Sequence, residues 1–403
     1  MPALTRSARS ERTTGAEVRA RRHGPGPPPT LSVLAALPLP SQGVLSAPLA
    51  DHRVAYDLVT EMVHVLNPTA ALVWELCDGE TSQDRLIAEI ADITGAPVDV
   101  VAADVHAYVE TLTEAGLVRR DAPPPAVTTN EVTPVTGTHT SPVFGVLDDG
   151  VALLSDDPGV LQRANDLLAS LASNRPITIR LGLEAGDDGG VTLSGWGPPR
   201  SFPTVAALLD ALPTALNQIA ALTSTCIALH AGCVRSPSGE VVVLPATSGS
   251  GKTTLTAALV RLGWDYATDE AVGVRSGSLM AVAYPKPLVL DAVSREVLRL
   301  APSESVNILP AELRADVVIA AGDVGPVDRV ILPRYQAGAR LQLELLDPRA
   351  AVVAVLEHAL NLGRVGQPGL DAICELAQRI PVLRLVHGDI NEAVAAVADS
   401  SSA

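Results

Sequence analysis

Apolar positions follow two different spacings in the stretch before residue 121. They alternate through RVAYDLVTEMVHVLN, which predicts two strands at about 53–58 and 61–66 around a polar turn. Helical spacing follows in NPTAALVWELC, QDRLIAEIADIT and VDVVAADVHAYVETLTEAG, and Asn67 or Thr69 is suited to cap the first helix. The pattern therefore predicts a small winged-helix-like α+β module over residues 49–120.

The rest of the chain divides by composition and pattern. Residues 1–48 are rich in Arg, Pro, Ser and Gly and predict a disordered tail. Residues 121–141, rich in Pro and Thr, predict a linker. Strand and helix patterns without recognisable chemistry predict an accessory α/β lobe over 142–225, and an α/β P-loop domain is expected over 226–398.

A short apolar strand, VVVL at 241–244, leads into the loop ATSGSGKTT and then into a helical pattern, LTAALVRLG. The loop fits [AG]-x-x-x-x-G-K-[ST], with Ala246 where the more stringent form has Gly. Small residues let loop amides turn toward a phosphate, and the following helix points its positive end at the same anion. Lys252 can reach the β- and γ-phosphates of ATP, and the Thr253 hydroxyl can ligate Mg²⁺. The candidate nucleotide-binding residues are Thr247, Ser248, Gly249, Ser250, Gly251, Lys252, Thr253 and Thr254.

Only two of the 29 basic residues are lysines, Lys252 and Lys286. In a chain that otherwise uses arginine, a lysine suggests a position that needs a compact ammonium. Lys286, in AYPKPL, is therefore a second candidate for the phosphate site. The alternative is an exposed lysine in a proline-flanked turn.

Two carboxylates, Asp269 and Glu270, follow the strand predicted at 264–268. Open α/β sheets place their sites at the carboxyl ends of strands, here facing the phosphate loop. One carboxylate can hold Mg²⁺ and the other can accept a proton from an incoming hydroxyl, or the pair only caps a surface turn. His230, in CIALHAGCVR, and Arg334, in ILPRYQAG, are weaker candidates. A core histidine and a surface arginine are the alternatives.

Charge and composition exclude several partners. The net charge of −16, and 13 acidic against 4 basic residues within 51–120, argue against nucleic acid and anionic membranes. No apolar run reaches the ~18 residues of a membrane helix. The four cysteines are scattered without a CxxC pair, which is typical of buried thiols in a reducing cytoplasm.

The first module resembles the PqqD-like peptide chaperones, also called RiPP recognition elements. HVLNPTAALVWELCDGETS and VHAYVETLTEAGLV carry the resemblance. It implies that a leader peptide adds a strand beside residues 62–66 and rests against the helix at 99–115.

The second half resembles the kinase domain of HPr kinase/phosphorylase and related proteins of peptide-modification clusters. LHAG, ATSGSGKTT, GWDYATDE and YPKPL carry that resemblance over about 226–398. It implies that Asp269 transfers the proton, that Glu270 lies beside the metal, and that the chain forms a homo-oligomer.

Together these features predict an ATP-dependent kinase that phosphorylates a peptide or small protein in ribosomal-peptide modification. A nucleotide-gated peptide chaperone without phosphoryl transfer is the main alternative. An ATPase without a peptide acceptor is a third.

Overall fold

The chain contains both helices and sheets and divides into two compact units, Met1–Ala126 and Val127–Ala403. Both units are mixed α/β in content. The computed structural model describes residues 36–119, 132–187, 189–303, 305–320 and 322–399.

The described part of the first unit consists of a three-stranded antiparallel sheet and three helices. Strand β2 lies in the middle, so β3 forms one edge of the sheet. The helices bury Val73, Trp74, Val105 and Leu112 in a core that also contains Leu66 from β3. The elements are β1 (Val44–Leu49), β2 (His52–Asp57), β3 (Met62–Leu66), α1 (Pro68–Glu75), α2 (Gln83–Thr94) and α3 (Val98–Glu114).

Asn67 follows β3 and caps α1, so of the two cap positions that the sequence offers, Asn67 rather than Thr69 is used. Its side-chain oxygen accepts a hydrogen bond from the amide of Ala70 at 2.8 Å, and Pro68 occupies the first turn. The cap fixes where the sheet gives way to the helices.

Order begins earlier than the predicted boundary at residue 48. Leu37 is buried, and β1 pairs with β2 along its full length. The expected tail is therefore wrong for residues 36–48, because its average composition hides the apolar positions that the sheet buries. The remainder of that tail lies outside the described residues. The predicted linker likewise ends in β4 (His139–Thr140), which pairs with β6.

The first sheet of the second unit has six strands in the order β4-β6-β7-β8-β9, with β5 paired to β6. Helix α5 contains Pro213 and buries Leu208, Leu212 and Leu216 in the core of this unit. Among the described helices, α5 alone is long and apolar enough to cross a membrane by length and composition. The further elements are β5 (Phe144–Val146), β6 (Asp149–Ser155), α4 (Pro158–Leu167), β7 (Ile179–Ala185), β8 (Val191–Ser194), β9 (Arg200–Phe202) and α5 (Val205–Thr223).

Eight further strands of the second unit form a larger sheet that is organised by two long strands, β10 and β17, while β15 and β16 pair with each other in a separate sheet. Ala228 from this sheet shares one hydrophobic core with Phe144 and Leu212 of the preceding region. The elements are β10 (Ile227–Arg235), β11 (Val241–Pro245), α6 (Lys252–Arg261), β12 (Asp265–Thr268), β13 (Ala271–Val274), β14 (Met280–Val282), β15 (Leu288–Val289), α7 (Ala292–Val297), β16 (Asn307–Ile308), α8 (Pro310–Leu313), β17 (Asp323–Tyr335), β18 (Gln342–Leu345), α9 (Pro348–Leu356), α10 (Leu362–Val365), α11 (Gln367–Arg379), β19 (Val382–His387) and α12 (Ile390–Asp399).

Strand direction brings the two predicted motifs to one edge of this sheet. Both β11 and β12 pair antiparallel with β10, one on each side. They therefore run in the same direction, and their carboxyl ends meet at the same edge. On its other side β11 pairs parallel with β17, which pairs parallel with β19. The loop after β11 and the acidic pair after β12 lie at this edge.

Candidate functional site

The loop between β11 and α6 has the backbone conformation that its glycines allow. Gly249 and Gly251 have φ values of +82° and +88°, a left-handed region that other residues adopt at a cost. Thr247, Ser248 and Gly249 are exposed. No side chain caps the first turn of α6, so the amides at this helix start are open to a ligand. This arrangement suits the phosphate cradle that the sequence predicts.

Both lysines of the chain converge on Asp269. The Lys252 ammonium donates to the main-chain carbonyl of Asp269. The Lys286 ammonium lies 2.9 Å from Oδ1 of Asp269 and also donates to the carbonyl of Pro287 at 3.0 Å. The side chains of Lys286 and Asp269 are 0% and 1% exposed, so Lys286 is not an exposed turn residue.

Opposing effects set the charge state of this cluster. Burial alone raises the pKa of Asp269, but Lys286 and Lys252 outweigh it and hold that pKa below its ordinary value. Burial lowers the pKa of Lys252, and the charges of Asp269 and Glu270 partly offset the change. Asp269 is therefore an ionised carboxylate at neutral pH.

Tyr266 is a member of this cluster that the sequence predicted only as part of a strand. Its hydroxyl lies 3.2 Å from Oδ1 of Asp269 and 2.8 Å from the carbonyl of Lys286, so one proton serves one acceptor at a time. Burial, together with the charge of Asp269, raises the pKa of Tyr266 well above its ordinary value. The tyrosine stays protonated, and its hydroxyl lies between the carboxylate of Asp269 and the carbonyl of Lys286.

Glu270 is the more accessible of the two acids. Its side chain is 31% exposed, with Oε2 at 3.8 Å from the Lys286 ammonium and Oε1 at 3.5 Å from Nδ1 of His230. A ligand arriving from solvent therefore meets Glu270 before Asp269.

His230 lies on β10, where its carbonyl accepts from the amide of Ala246 and it pairs with Ala271 of β13. Its Nδ1 is 3.1 Å from the carbonyl of Glu270, and its amide donates to the carbonyl of His358 at 2.8 Å. Burial and the charge of Lys252 lower the pKa of His230. Burial, His230 and Lys252 lower the pKa of His358 to about 4. Both imidazoles are thus neutral at pH 7. The sequence did not indicate His358, which lies just beyond α9 with no motif around it.

The side-chain oxygens at this edge could supply part of the coordination of a magnesium ion, and phosphate and water oxygens would supply the rest. Among the described residues, no group of three or more His, Cys, Asp or Glu side chains is arranged to hold a metal. Mg²⁺ at phosphate sites takes only one or two protein oxygens. The Thr253 hydroxyl, half-buried in the first turn of α6, and the Glu270 carboxylate are suitable donors. Asp269 is less available because Lys286 already binds its carboxylate.

Arg334 does not join this cluster. It is exposed near the end of β17, and within the described ranges its side chain has no hydrogen bond or ion pair. Successive side chains of a strand point to opposite faces, so Arg334 points away from its neighbour Tyr335. The amide of Tyr335 donates to the carbonyl of Ser250 at 3.0 Å, a contact with the loop that the sequence did not indicate.

Comparison with known proteins bears on the two units differently. Residues 53–118 match the model of the family "Coenzyme PQQ synthesis protein D (PqqD)", which confirms the predicted resemblance of this stretch. A search of curated proteins gives no match. A solved structure, the Hpr(Ser) kinase/phosphatase from Coxiella burnetii, is similar over 42% of this chain and 90% of its own. The identity is 11% and the TM-score is 0.25, and such a score carries no argument about fold or activity.

Proposed function

We propose that this chain is an ATP-dependent kinase whose acceptor is a peptide or small protein held by its PqqD-like module. One observation carries the kinase proposal. Both lysines converge on Asp269 at the edge where the uncapped start of α6 follows the 246–251 loop. Phosphoryl transfer depends mainly on positioned positive charge and a proton acceptor, and both are present there.

In the proposed reaction, an acceptor hydroxyl forms a bond to the γ-phosphorus of ATP. The bond from that phosphorus to the β,γ-bridging oxygen breaks, and ADP leaves. Asp269 accepts the hydroxyl proton, while Lys252, Lys286 and the loop amides stabilise charge on the phosphoryl group. Mg²⁺ held by Thr253 and Glu270 supplies further positive charge to the phosphates when it is bound.

The peptide-binding part of the proposal rests on the edge of the first sheet. Strand β3 pairs with β2 on one side and, among the described residues, has no strand on the other. An extended peptide can add to such an edge through main-chain hydrogen bonds. The end of the strand is tied to α3, since Nδ2 of Asn67 donates to the Tyr108 hydroxyl at 3.3 Å. The expected contacts are therefore β3 and the face of α3.

The burial of Asp269 favours a second candidate, a nucleotide-gated peptide chaperone. Its carboxylate is 1% exposed and bonded to Lys286, so an acceptor hydroxyl must displace that contact to reach it. A chaperone needs only the phosphate cradle and a coupling of ATP affinity to peptide affinity, without chemistry at Asp269.

Transfer of labelled phosphate distinguishes these two functions. A peptide selected for binding to the full chain from a displayed library is incubated with γ-labelled ATP and Mg²⁺. We expect wild type and Arg163→Ala, which removes an exposed cation on α4, to label the peptide. Lys252→Ala and Asp269→Asn should label it at least about a hundredfold more slowly. Peptide that binds but stays unlabelled supports the chaperone, and equal labelling by all four proteins removes Lys252 and Asp269 from the mechanism.

A further inference from the structure

One aromatic ring is exposed beside the loop that precedes α6. The chain has ten aromatic residues, all of them described, and nine are buried or half-buried. Tyr335, at the end of β17, is the exception at 51% exposed. A chain that buries its few aromatic rings leaves this one in solvent at the rim of its candidate site.

Tyr335 is hydrogen-bonded to the loop and lies close to its last glycine. Its amide donates to the carbonyl of Ser250 at 3.0 Å. A side chain at Gly251 would bring a Cβ within 3.3 Å of the Cβ of Tyr335, so the glycine allows the two segments to approach closely. The backbone of Tyr335 therefore lies beside Ser250 and Gly251, which belong to the loop that binds the phosphates in the proposed function.

The ring is held in place before any ligand arrives. Tyr335 pairs with His387 across the parallel strands β17 and β19. The two rings contact each other edge to face, with centroids 5.7 Å apart and an interplanar angle of 62°. The amide of Gln336 then donates to the carbonyl of His387 at 2.9 Å. An aromatic surface fixed in this way loses little conformational entropy when a ligand stacks on it.

We propose that Tyr335 is the stacking platform for the base of the nucleotide whose phosphates occupy the 246–254 loop. The inference rests on the proposed nucleotide site and adds the residue that contacts the base. A nucleotide with its phosphates on the loop extends its base beyond the rim of the loop, where Tyr335 is the exposed ring. Stacking is tolerant of base identity but grows with ring area, so purine nucleotides bind more tightly than pyrimidine nucleotides.

The test compares ligands with and without a base on the full chain. Binding of ADP, CDP and inorganic tripolyphosphate, each with Mg²⁺, is measured by calorimetry for wild type, Tyr335→Ala and Tyr335→Phe. Leu345→Ala is the matched control, because it truncates another exposed side chain of the same sheet. Leu345 lies on β18, is 67% exposed and pairs with Leu383 rather than His387. Melting curves verify that every variant is folded.

We expect Tyr335→Ala to bind ADP about tenfold more weakly, to lose the preference for ADP over CDP, and to bind tripolyphosphate like wild type. Tyr335→Phe and Leu345→Ala should match wild type, since the ring rather than the hydroxyl stacks. Unchanged ADP affinity in Tyr335→Ala, or equal weakening of ADP and tripolyphosphate, overturns the platform while leaving the nucleotide site intact. Wild-type protein that binds neither ADP nor tripolyphosphate overturns the proposed nucleotide site and the platform with it.

Discussion

The candidate site of the first unit consists of backbone groups, whereas that of the second unit consists of buried charged side chains. In the described part of the first unit, Asp57 is the one buried charged residue, and it serves the β2–β3 turn by accepting from the amide of Val59 and the hydroxyl of Thr60. The candidate binding surface of the first unit is the edge of β3 that pairs with no other strand among the described residues. The second unit instead buries Lys252, Lys286 and Asp269 together at the end of β12.

This difference has an energetic meaning. A strand edge exposes backbone groups that water already hydrates, so keeping it costs the fold little. Buried charges are costly unless each has its partner, and removing one partner leaves the other uncompensated. The first unit should therefore tolerate changes at its binding surface, whereas the second should lose stability together with function.

The largest expected effect is on the buried ion pair. Lys286→Met leaves Asp269 buried without its nearest cation, and we expect a loss of about 3–5 kcal/mol in the second unit. Hydrogen exchange, followed separately in each unit during denaturant titration, measures the loss. The double variant Lys286→Met with Asp269→Asn removes both charges and should recover most of it. If Lys286→Met were as stable as wild type, burying Asp269 without this cation would cost no measurable free energy of unfolding, contrary to the prediction.

Acid should weaken the second unit through His358. Because its folded-state pKa is about 4, below the ordinary 6.5, the unfolded chain takes up a proton as the pH falls toward 4 while the folded chain resists it. Stability should fall by on the order of 3 kcal/mol between pH 7 and pH 4 from this group alone. Asp269 acts in the same direction only below its ordinary pKa of 3.8. Unfolding midpoints across this range should decline less steeply in His358→Gln, and identical slopes would contradict the assignment.

Backbone recognition at β3 predicts an effect in the peptide rather than in the protein. In a peptide that adds to β3 as a strand, every second backbone N–H points toward β3. Methylating these nitrogens removes their hydrogen bonds and leaves the side chains unchanged. We expect about 1–3 kcal/mol weaker binding. The same methylation in the opposite register is the matched control and should have little effect. Equal losses in both registers would indicate that the peptide does not add as a strand.

Helix caps offer the smallest test, one in each unit. Asn67→Ala removes the cap of α1, and Asp291→Ala removes the cap of α7, where the carboxylate accepts from the amide of Ser294 at 2.7 Å. Each change should cost about 1 kcal/mol, in its own unit only. Faster hydrogen exchange in both units after either change would show that the two units do not unfold independently.

Local patterns in the sequence were enough to predict the helices of the first unit and the cluster around Asp269. Asn67 and Pro68 mark a helix start by their chemistry alone. Lys252 and Asp269 belong to motifs separated by one helix, so strand direction brings them together. The proximity of Lys286 followed from the rarity of lysine in this chain. The chemical roles of these residues stay predictions.

Other members of the site depend on contacts between distant segments. Tyr335 contacts the loop and His358 contacts His230, although they follow the loop by about 80 and 110 positions and no local motif surrounds them. Strand β1 was missed because a polar, proline-rich average concealed Ala47 and Leu49, which are buried only when β2 lies beside them. Pairing across the sheet, rather than local propensity, decides such positions.

In the proposed function, phosphate moves from ATP to a peptide held by the same chain. The intact mass of a bound peptide, measured after incubation with Mg²⁺, ATP and the chain of 403 residues, tests this transfer. A kinase should add about 80 Da, the mass of one phosphoryl group, and this gain should require Lys252. A peptide that binds to the protein and is recovered at its original mass, while ATP binds normally, would contradict it.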